Sequence, residues 1–447
     1  MLSGSIFKGI LTICIPIMIM NVIQSLFNII DMSVLKMFDT DGGYTVGAVG
    51  ACGTLITLIT GLLIGISSGT NVVVAKYIGK RDTESAQRAV GASVVFSFVG
   101  GLVLSVTGLL CAEIFLGWMN CPDRLLADAA LYFRLYFAGV PILMVYNFCA
   151  AILRSTGDSR RPMIFLTLGG LLKVIFNFIF VAGLGMKVEG VAIATIISWT
   201  TSAALVLNAL IKNDSIASIK KERLRLYKKE LSEVLAIGIP AGLQQGLYSF
   251  ANVIIATAVN SLGPDATTGL SIATNFDGLL YQVVMAASLA VMPYVSQNIG
   301  NRNPERAARA VKEGIIITVA LGATMGALNV IFSAELSSLM SDNPAVIAYS
   351  QQRMLIVSST YFICGINEIF SAALRGMGKP MIPTLSTLIY MCLLRFVWVY
   401  FVFPLVPNLT FLYLVWPIGW VLSIATLLCF YIPRLKGLKT VFALKDA

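Results

Sequence analysis

KYIGKRDTESAQRAV (residues 76–90) and QNIGNRNPERAARAV (residues 297–311) agree at eight of fifteen positions and lie 221 residues apart in a chain of 447. The same offset pairs Leu153, Arg154, Gly157 and Pro162 with Leu374, Arg375, Gly378 and Pro383, and an offset of 224 pairs Ile15 and Pro16 with Ile239 and Pro240. Three blocks in the same order describe a chain built twice. Between the copies runs KNDSIASIKKERLRLYKKELSE (212–233), the most polar long segment. It reads as a linker between one half at 1–211 and another at 234–433, with 434–447 as a tail.

The medium these halves are built for follows from composition. The chain is 57% hydrophobic and 12% charged, with a mean hydropathy of +0.85, whereas soluble domains carry about a quarter charged residues. A bilayer core about 30 Å thick requires roughly 20 apolar residues per helix. Twelve such stretches occur, near 9–35, 48–75, 89–112, 129–152, 163–183, 189–211, 234–259, 267–295, 310–332, 347–373, 381–403 and 411–433. The first is too long for a signal peptide core and has no small-residue cleavage pattern, so it reads as a permanent helix. The expected fold is therefore an all-α integral membrane protein, with six helices in each half.

The net charge of +10 raises the question of nucleic acid, and its distribution answers it. Taking alternate loops as one side collects 25 of the 32 Lys and Arg there, leaving Lys36, Arg124 and Lys187 opposite and Arg134, Lys173, Arg353 and Arg395 within helices or at their ends. That asymmetry is the positive-inside pattern. It places both termini and the 212–233 linker in the cytoplasm and assigns no role to nucleic acid. With both halves starting on the same side, the copies should be related by a pseudo-two-fold axis along the membrane normal, the arrangement of transporters that work by alternating access.

Polar residues mark where lipid is excluded. In the first helix Asn21, Gln24, Asn28 and Asp31 are spaced three, four and three apart, one face of an α-helix. A carboxylate inside a membrane is costly unless it is paired or wetted, which makes Asp31 a candidate functional group. At offset 224 the stripe returns as Gln245, Tyr248 and Asn252, while Asp31 becomes Ile255, so the carboxylate belongs to the first half alone. Two further intrahelical acids are candidates for ion coupling or for pairing with a base: Asp277, with Tyr281 and Ser288 along its face, and Glu368, beside Asn367 and two turns from Arg375. Asn147 is the repeat partner of Glu368. Arg134 and Arg353 lie close enough to helix ends to snorkel, whereas Lys173, deep in the fifth helix near Asn177, needs a partner. The chain contains no histidine, so any proton coupling falls to a carboxylate rather than an imidazole.

Absences narrow the function further. The nearest string to a phosphate-binding loop is GMGKP (376–380), with proline after the lysine, and GxSxG, HExxH and an acidic metal cluster are missing. The eight cysteines show no metal or disulfide spacing. The reading is of a secondary transporter without cofactor or metal, acting as a monomer on a small-molecule substrate in a lipid bilayer.

With SQNIGNRNPERAARAV (296–311), AILRSTGDSRRPM (151–163), IPIMIMNVIQSLFNIID (15–31), GLGMKVEGVAIATIIS (183–198) and LRGMGKPMIP (374–383) in view, the chain resembles prokaryotic members of the multidrug and toxic compound extrusion family over nearly its whole length. The resemblance implies two six-helix bundles in a V around a cleft, in the plasma (inner) membrane. It also implies export of amphipathic, usually cationic compounds in exchange for protons or sodium. The family's first-helix acid falls on Asp31, its proline on Pro16, and its cytoplasmic loop motifs on Gln297, Asn298, Gly300, Leu153, Arg154 and Gly157. Members often carry an Asn and an Asp four apart in the fifth helix. Here one alignment puts Lys173 and Asn177 at those positions and another puts Asn177 and Val181, so neither supplies the acid. A related alternative is a flippase or exporter of a lipid-linked or anionic substrate, which Lys173 and Arg395 would favour.

Overall fold

The computed structural model describes residues 1–38, 44–119, 121–212, 215–406 and 408–446. Twelve long helices run along the chain, and no strand occurs among the described residues. The first six are Ile6–Phe38, Tyr44–Gly79, Thr83–Trp118, Asp123–Thr156, Arg160–Gly183 and Val188–Lys212. The seventh to ninth are Lys228–Asn260, Pro264–Gly300 and Pro304–Ile331. The tenth, Pro344–Gly376, is tightened at Ser358–Thr360 into a 3₁₀ turn, and Met381–Val402 and Leu409–Ala443 complete the set. Eleven of these are long and apolar enough to cross a membrane. The seventh is equally long, but Gln244, Gln245, Tyr248, Ser249 and Asn252 dilute its apolar character.

The helices outrun the apolar stretches that announce them. Hydropathy registers only the part solvated by lipid, while the helix continues into polar ends until a cap stops it. Thus the third helix begins at Thr83, where the Asp82 side chain accepts from the Ser85 backbone N–H at 3.0 Å. The ninth begins at Pro304, where Asn303 accepts from Arg306 at 2.9 Å. Asp82 and Asn303 are partners in the repeat.

The turns preceding these caps match in detail. Arg81 and Arg302 both adopt a left-handed backbone, with φ of 58° and 56°. Asp82 N–H closes on the Tyr77 carbonyl at 3.1 Å, and Asn303 N–H on the Asn298 carbonyl at 2.8 Å. Both are the wide-ring bond of a Schellman stop. The second pair of repeat turns uses Gly157 (φ 96°) and Gly378 (φ 75°), with Asp158 N–H to Leu153 O at 3.1 Å and Lys379 N–H to Leu374 O at 2.9 Å.

The described chain falls into two compact units, one of Met1–Met18 with Ile239–Ala447, the other Ile19–Gly238. Both changes of unit lie beside the repeat-related prolines, Pro16 in the first helix and Pro240 in the seventh. A proline removes a helical hydrogen bond and loosens the chain there. Within the Ile19–Gly238 unit the fourth helix is central, with 83% of its apolar window buried against 22% for the third. Its Phe133 and Phe137 rings stack at 4.4 Å. The third helix leaves Phe98, Val103 and Leu110 exposed, as a lipid-facing surface requires. In the other unit the eighth helix is the most buried span, at 67%.

Candidate functional site

In the Ile19–Gly238 unit the polar stripe of the first helix meets the fifth. Gly170, Lys173 and Asn177 are spaced three and four apart and share a face. At Gly170 an added Cβ would fall 1.8 Å from the Phe27 ring, so the absence of a side chain lets the fifth helix close on the first one turn below Asp31. The result is a buried three-residue cluster. Lys173 Nζ donates to Asp31 Oδ2 as an ion pair. Asn177 Nδ2 donates to Asp31 Oδ1 at 2.6 Å, and Asn177 is wholly buried. Both carboxylate oxygens therefore have donors. Directly after Asn177 the helix widens into a π-helical turn, Phe178–Gly183, a distortion common at functional positions. Of the two sequence alignments in this helix, the one through Lys173 and Asn177 names the pair that touches Asp31.

The other residues of the expected first-half cavity do not join the cluster. Asn21 is buried, while Gln24 and Asn28 are exposed. Asn147 is buried and donates to the Leu143 carbonyl of its own helix at 3.0 Å.

In the Met1–Met18 and Ile239–Ala447 unit the expected site residues fall into three buried polar groupings. Tyr248 Oη donates to Glu368 Oε1 at 2.8 Å, and Arg375 lies 3.7 Å from the other carboxylate oxygen. Asn367 Nδ2 reaches Tyr248 Oη at 3.4 Å while its Oδ1 accepts from Ser423 at 2.6 Å. The Tyr281 ring lies 6.4 Å from that of Tyr248, its hydroxyl buried without a hydrogen-bond partner among the described residues. Asp277 forms the second grouping, accepting from Arg353 Nε at 3.0 Å and Ser358 Oγ at 2.7 Å. In the third, Arg395 Nη1 donates to Asn252 Oδ1 at 2.9 Å. Gln245 is half-buried, and its neighbour Gln244 instead reaches across, donating to Thr387 Oγ1 at 3.0 Å.

Two expectations change. Arg353 does not snorkel, for it is 4% exposed, bonded to Asp277 and stacked 4.5 Å from the Trp416 ring centroid. The loop motif residues Leu153, Arg154, Gln297 and Asn298 are not exposed loop groups but buried helix ends. Sequence reasoning missed Ser358, Ser423 and Trp416. Only the hydroxyl-bearing run SST at 358–360 in an apolar helix offered a signal.

Twelve long helices in two units, with ion pairs buried inside apolar helices and the chain duplicated, define a polytopic membrane transporter rather than an enzyme. The MatE family model matches residues 16–179 and 240–401, and the chain belongs to that family. Among similar proteins, the Probable multidrug resistance protein YoeA of Bacillus subtilis (strain 168) is 24% identical over 86% of this chain and 84% of its own length. The FAD transporter of Shewanella oneidensis is 24% identical over 85% of this chain and 84% of its own. A solved structure described as the outward-facing conformation of a multidrug resistance MATE family transporter of the MOP superfamily superposes with a TM-score of 0.91 at 22% identity, covering 98% of this chain and 97% of the other. A MOP superfamily transporter from Pyrococcus furiosus, whose structure is described as showing reverse polarity of its binding pocket, also gives 0.91, at 23% identity and 98% coverage of both chains.

Proposed function

We propose that this transporter exports amphipathic, cationic small molecules in exchange for protons or sodium by alternating access, from the plasma (inner) membrane, with both termini in the cytoplasm. The names of relatives such as YoeA and NorM, given as multidrug resistance proteins, support the substrate class. The observation that carries the coupling is the Asp31 cluster. Lys173 acts as a tethered cation on a carboxylate that an incoming proton, sodium ion or cationic substrate can also occupy. When the incoming cation takes Asp31, the ammonium is released, and the two conditions of the site become distinct conformational preferences. Glu368, Asp277, Tyr281 and the stripe Gln245, Tyr248 and Asn252 are proposed as further ion and substrate contacts.

A second reading, export or flipping of an anionic or lipid-linked compound, is favoured by one observation: each unit buries a base against its polar stripe, Lys173 on Asp31 and Arg395 on Asn252. Among relatives, the FAD transporter and the transporter described with a pocket of reversed polarity lend it support. Proteoliposomes with imposed proton or sodium gradients separate the readings. Gradient-driven uptake of a dye cation such as ethidium supports the first, and uptake restricted to anions overturns it.

A further inference from the structure

We propose that Arg395 and Trp416 form a buried site for an oxyanion, a carboxylate or phosphate group carried by an aromatic or amphipathic compound. The inference extends the substrate class and rests on the transporter reading only in taking the bound compound to be cargo.

Arg395 sits in the middle of the eleventh helix, 2% exposed. No carboxylate lies within 4 Å of it among the described residues, unlike Arg353 on Asp277 and Arg375 beside Glu368. In the other unit the buried base Lys173 is neutralised by Asp31, whereas Arg395 meets only the neutral Asn252 of the seventh helix. The guanidinium therefore keeps its charge in a span where an isolated ion is costly.

Its donors are also underused. Among the described residues Nη1 is bonded to Asn252, Nη2 has only the Met391 sulfur at 4.0 Å, and Nε is buried without an acceptor. An unoccupied fork of Nε and Nη2 is the geometry with which arginine grips an oxyanion through two parallel bonds. Arg154 and Arg375 also leave Nε without an acceptor among the described residues, so what sets Arg395 apart is that its free fork is joined to the lack of a carboxylate partner, which Arg375 has in Glu368.

The surroundings fit a compound with an aromatic body. The guanidinium lies 4.6 Å from the Trp416 ring centroid, and that of Arg353 lies 4.5 Å from the same ring. Arg353 carries its own counter-ion in Asp277 at 3.0 Å, which leaves Arg395 as the cation at this indole with no carboxylate beside it among the described residues. The helix is distorted on both sides of Arg395, with π-helical turns at Leu388–Leu393 and Trp398–Val402. Such turns bring backbone irregularity to the positions where ligands are held.

The test uses the purified full chain in detergent, with benzyl phosphate and benzoate as soluble probes, benzyl alcohol as the neutral control, and tryptophan fluorescence and thermal stability as readouts. A lipid headgroup is the other source of the same chemistry, so nanodiscs of phosphatidylglycerol and of phosphatidylcholine form a parallel arm. The expected result is binding of the anion but not of the alcohol, weakened about ten-fold or more in Arg395→Gln and only partly restored in Arg395→Lys, which keeps the charge but lacks the fork. Stabilisation seen only with phosphatidylglycerol, and lost in Arg395→Gln, assigns the site to a headgroup. Anion binding unchanged in Arg395→Gln, or none in the wild type in either arm, overturns the proposal. Should the glutamine variant not fold, the wild-type fluorescence response and its loss in Trp416→Phe decide instead, and a response that survives Trp416→Phe counts against the site. Ethidium export by the wild type is scored separately, so absent anion binding with intact export overturns this inference alone.

Discussion

Asp31 holds two donors inside an apolar helix pair, and the energetics of such a pair are asymmetric. Removing one partner of a buried ion pair strands the other and costs about 3–5 kcal/mol, whereas removing both and replacing them with neutral groups is often harmless. Lys173→Met should therefore destabilise the purified protein more than the double variant Asp31→Asn, Lys173→Met does. Thermal unfolding of the two in the same detergent checks this, and equal losses would mean the pair is not coupled. Glu368 sits differently, with a 2.8 Å bond from Tyr248 and a longer approach to Arg375. Glu368→Gln keeps an acceptor for Tyr248, so expression should hold while substrate affinity or ion dependence changes. Wild-type transport of several substrates under both gradients would remove Glu368 from the coupling residues. At this scale the sequence was informative where chemistry is rare. The carboxylate on the polar stripe and the lysine inside the fifth helix were each marked as needing a partner, because neither is tolerated unpaired in lipid. It was silent about the partner of Arg353, since distance from a helix end says nothing about which acid packs beside it.

The elements explain how these groups are placed. Gly170 lets the fifth helix approach Phe27, and the π-helical turns after Asn177 and around Arg395 shift the register of the faces that follow. None of this is written in hydropathy, which marked the spans but not their distortions. The turns were legible, because the repeat aligned Gly157 with Gly378 and Asp82 with Asn303, and all four now stand at equivalent stops and caps. Gly378 isolates the backbone contribution, since a Cβ there meets nothing within 4 Å while φ is 75°. Gly378→Ala should thus cost about 1 kcal/mol through conformation alone. Thermal unfolding should show a small drop in midpoint with transport intact, and no drop would mean the left-handed turn is not held in the folded protein.

For the whole molecule, duplication, a charge asymmetry of 25 to 3 and twelve long helices make one argument about orientation. With that orientation, the linker at 212–233 is proposed to lie inside. Ser218 is buried and would make a poor labelling site, whereas Arg225 and Ser261 are exposed. On a cysteine-free background, Arg225→Cys should resist an impermeant thiol reagent in intact cells and Ser261→Cys should react, and the reverse pattern would invert the topology. Fold class was readable in the sequence because a membrane permits few architectures. The partners of each buried charge were not, because pairing depends on helix rotation, which lipid-facing composition leaves free.

The account turns on whether the carboxylate of Asp31 exchanges Lys173 for an external cation during transport. Proteoliposome counterflow of ethidium under imposed proton and sodium gradients, comparing wild type with Asp31→Asn, tests this most directly. Gradient-driven export should be abolished in the variant while ethidium binding to the folded protein remains measurable. Wild-type coupled export by Asp31→Asn would show that the carboxylate only braces the fifth helix against the first.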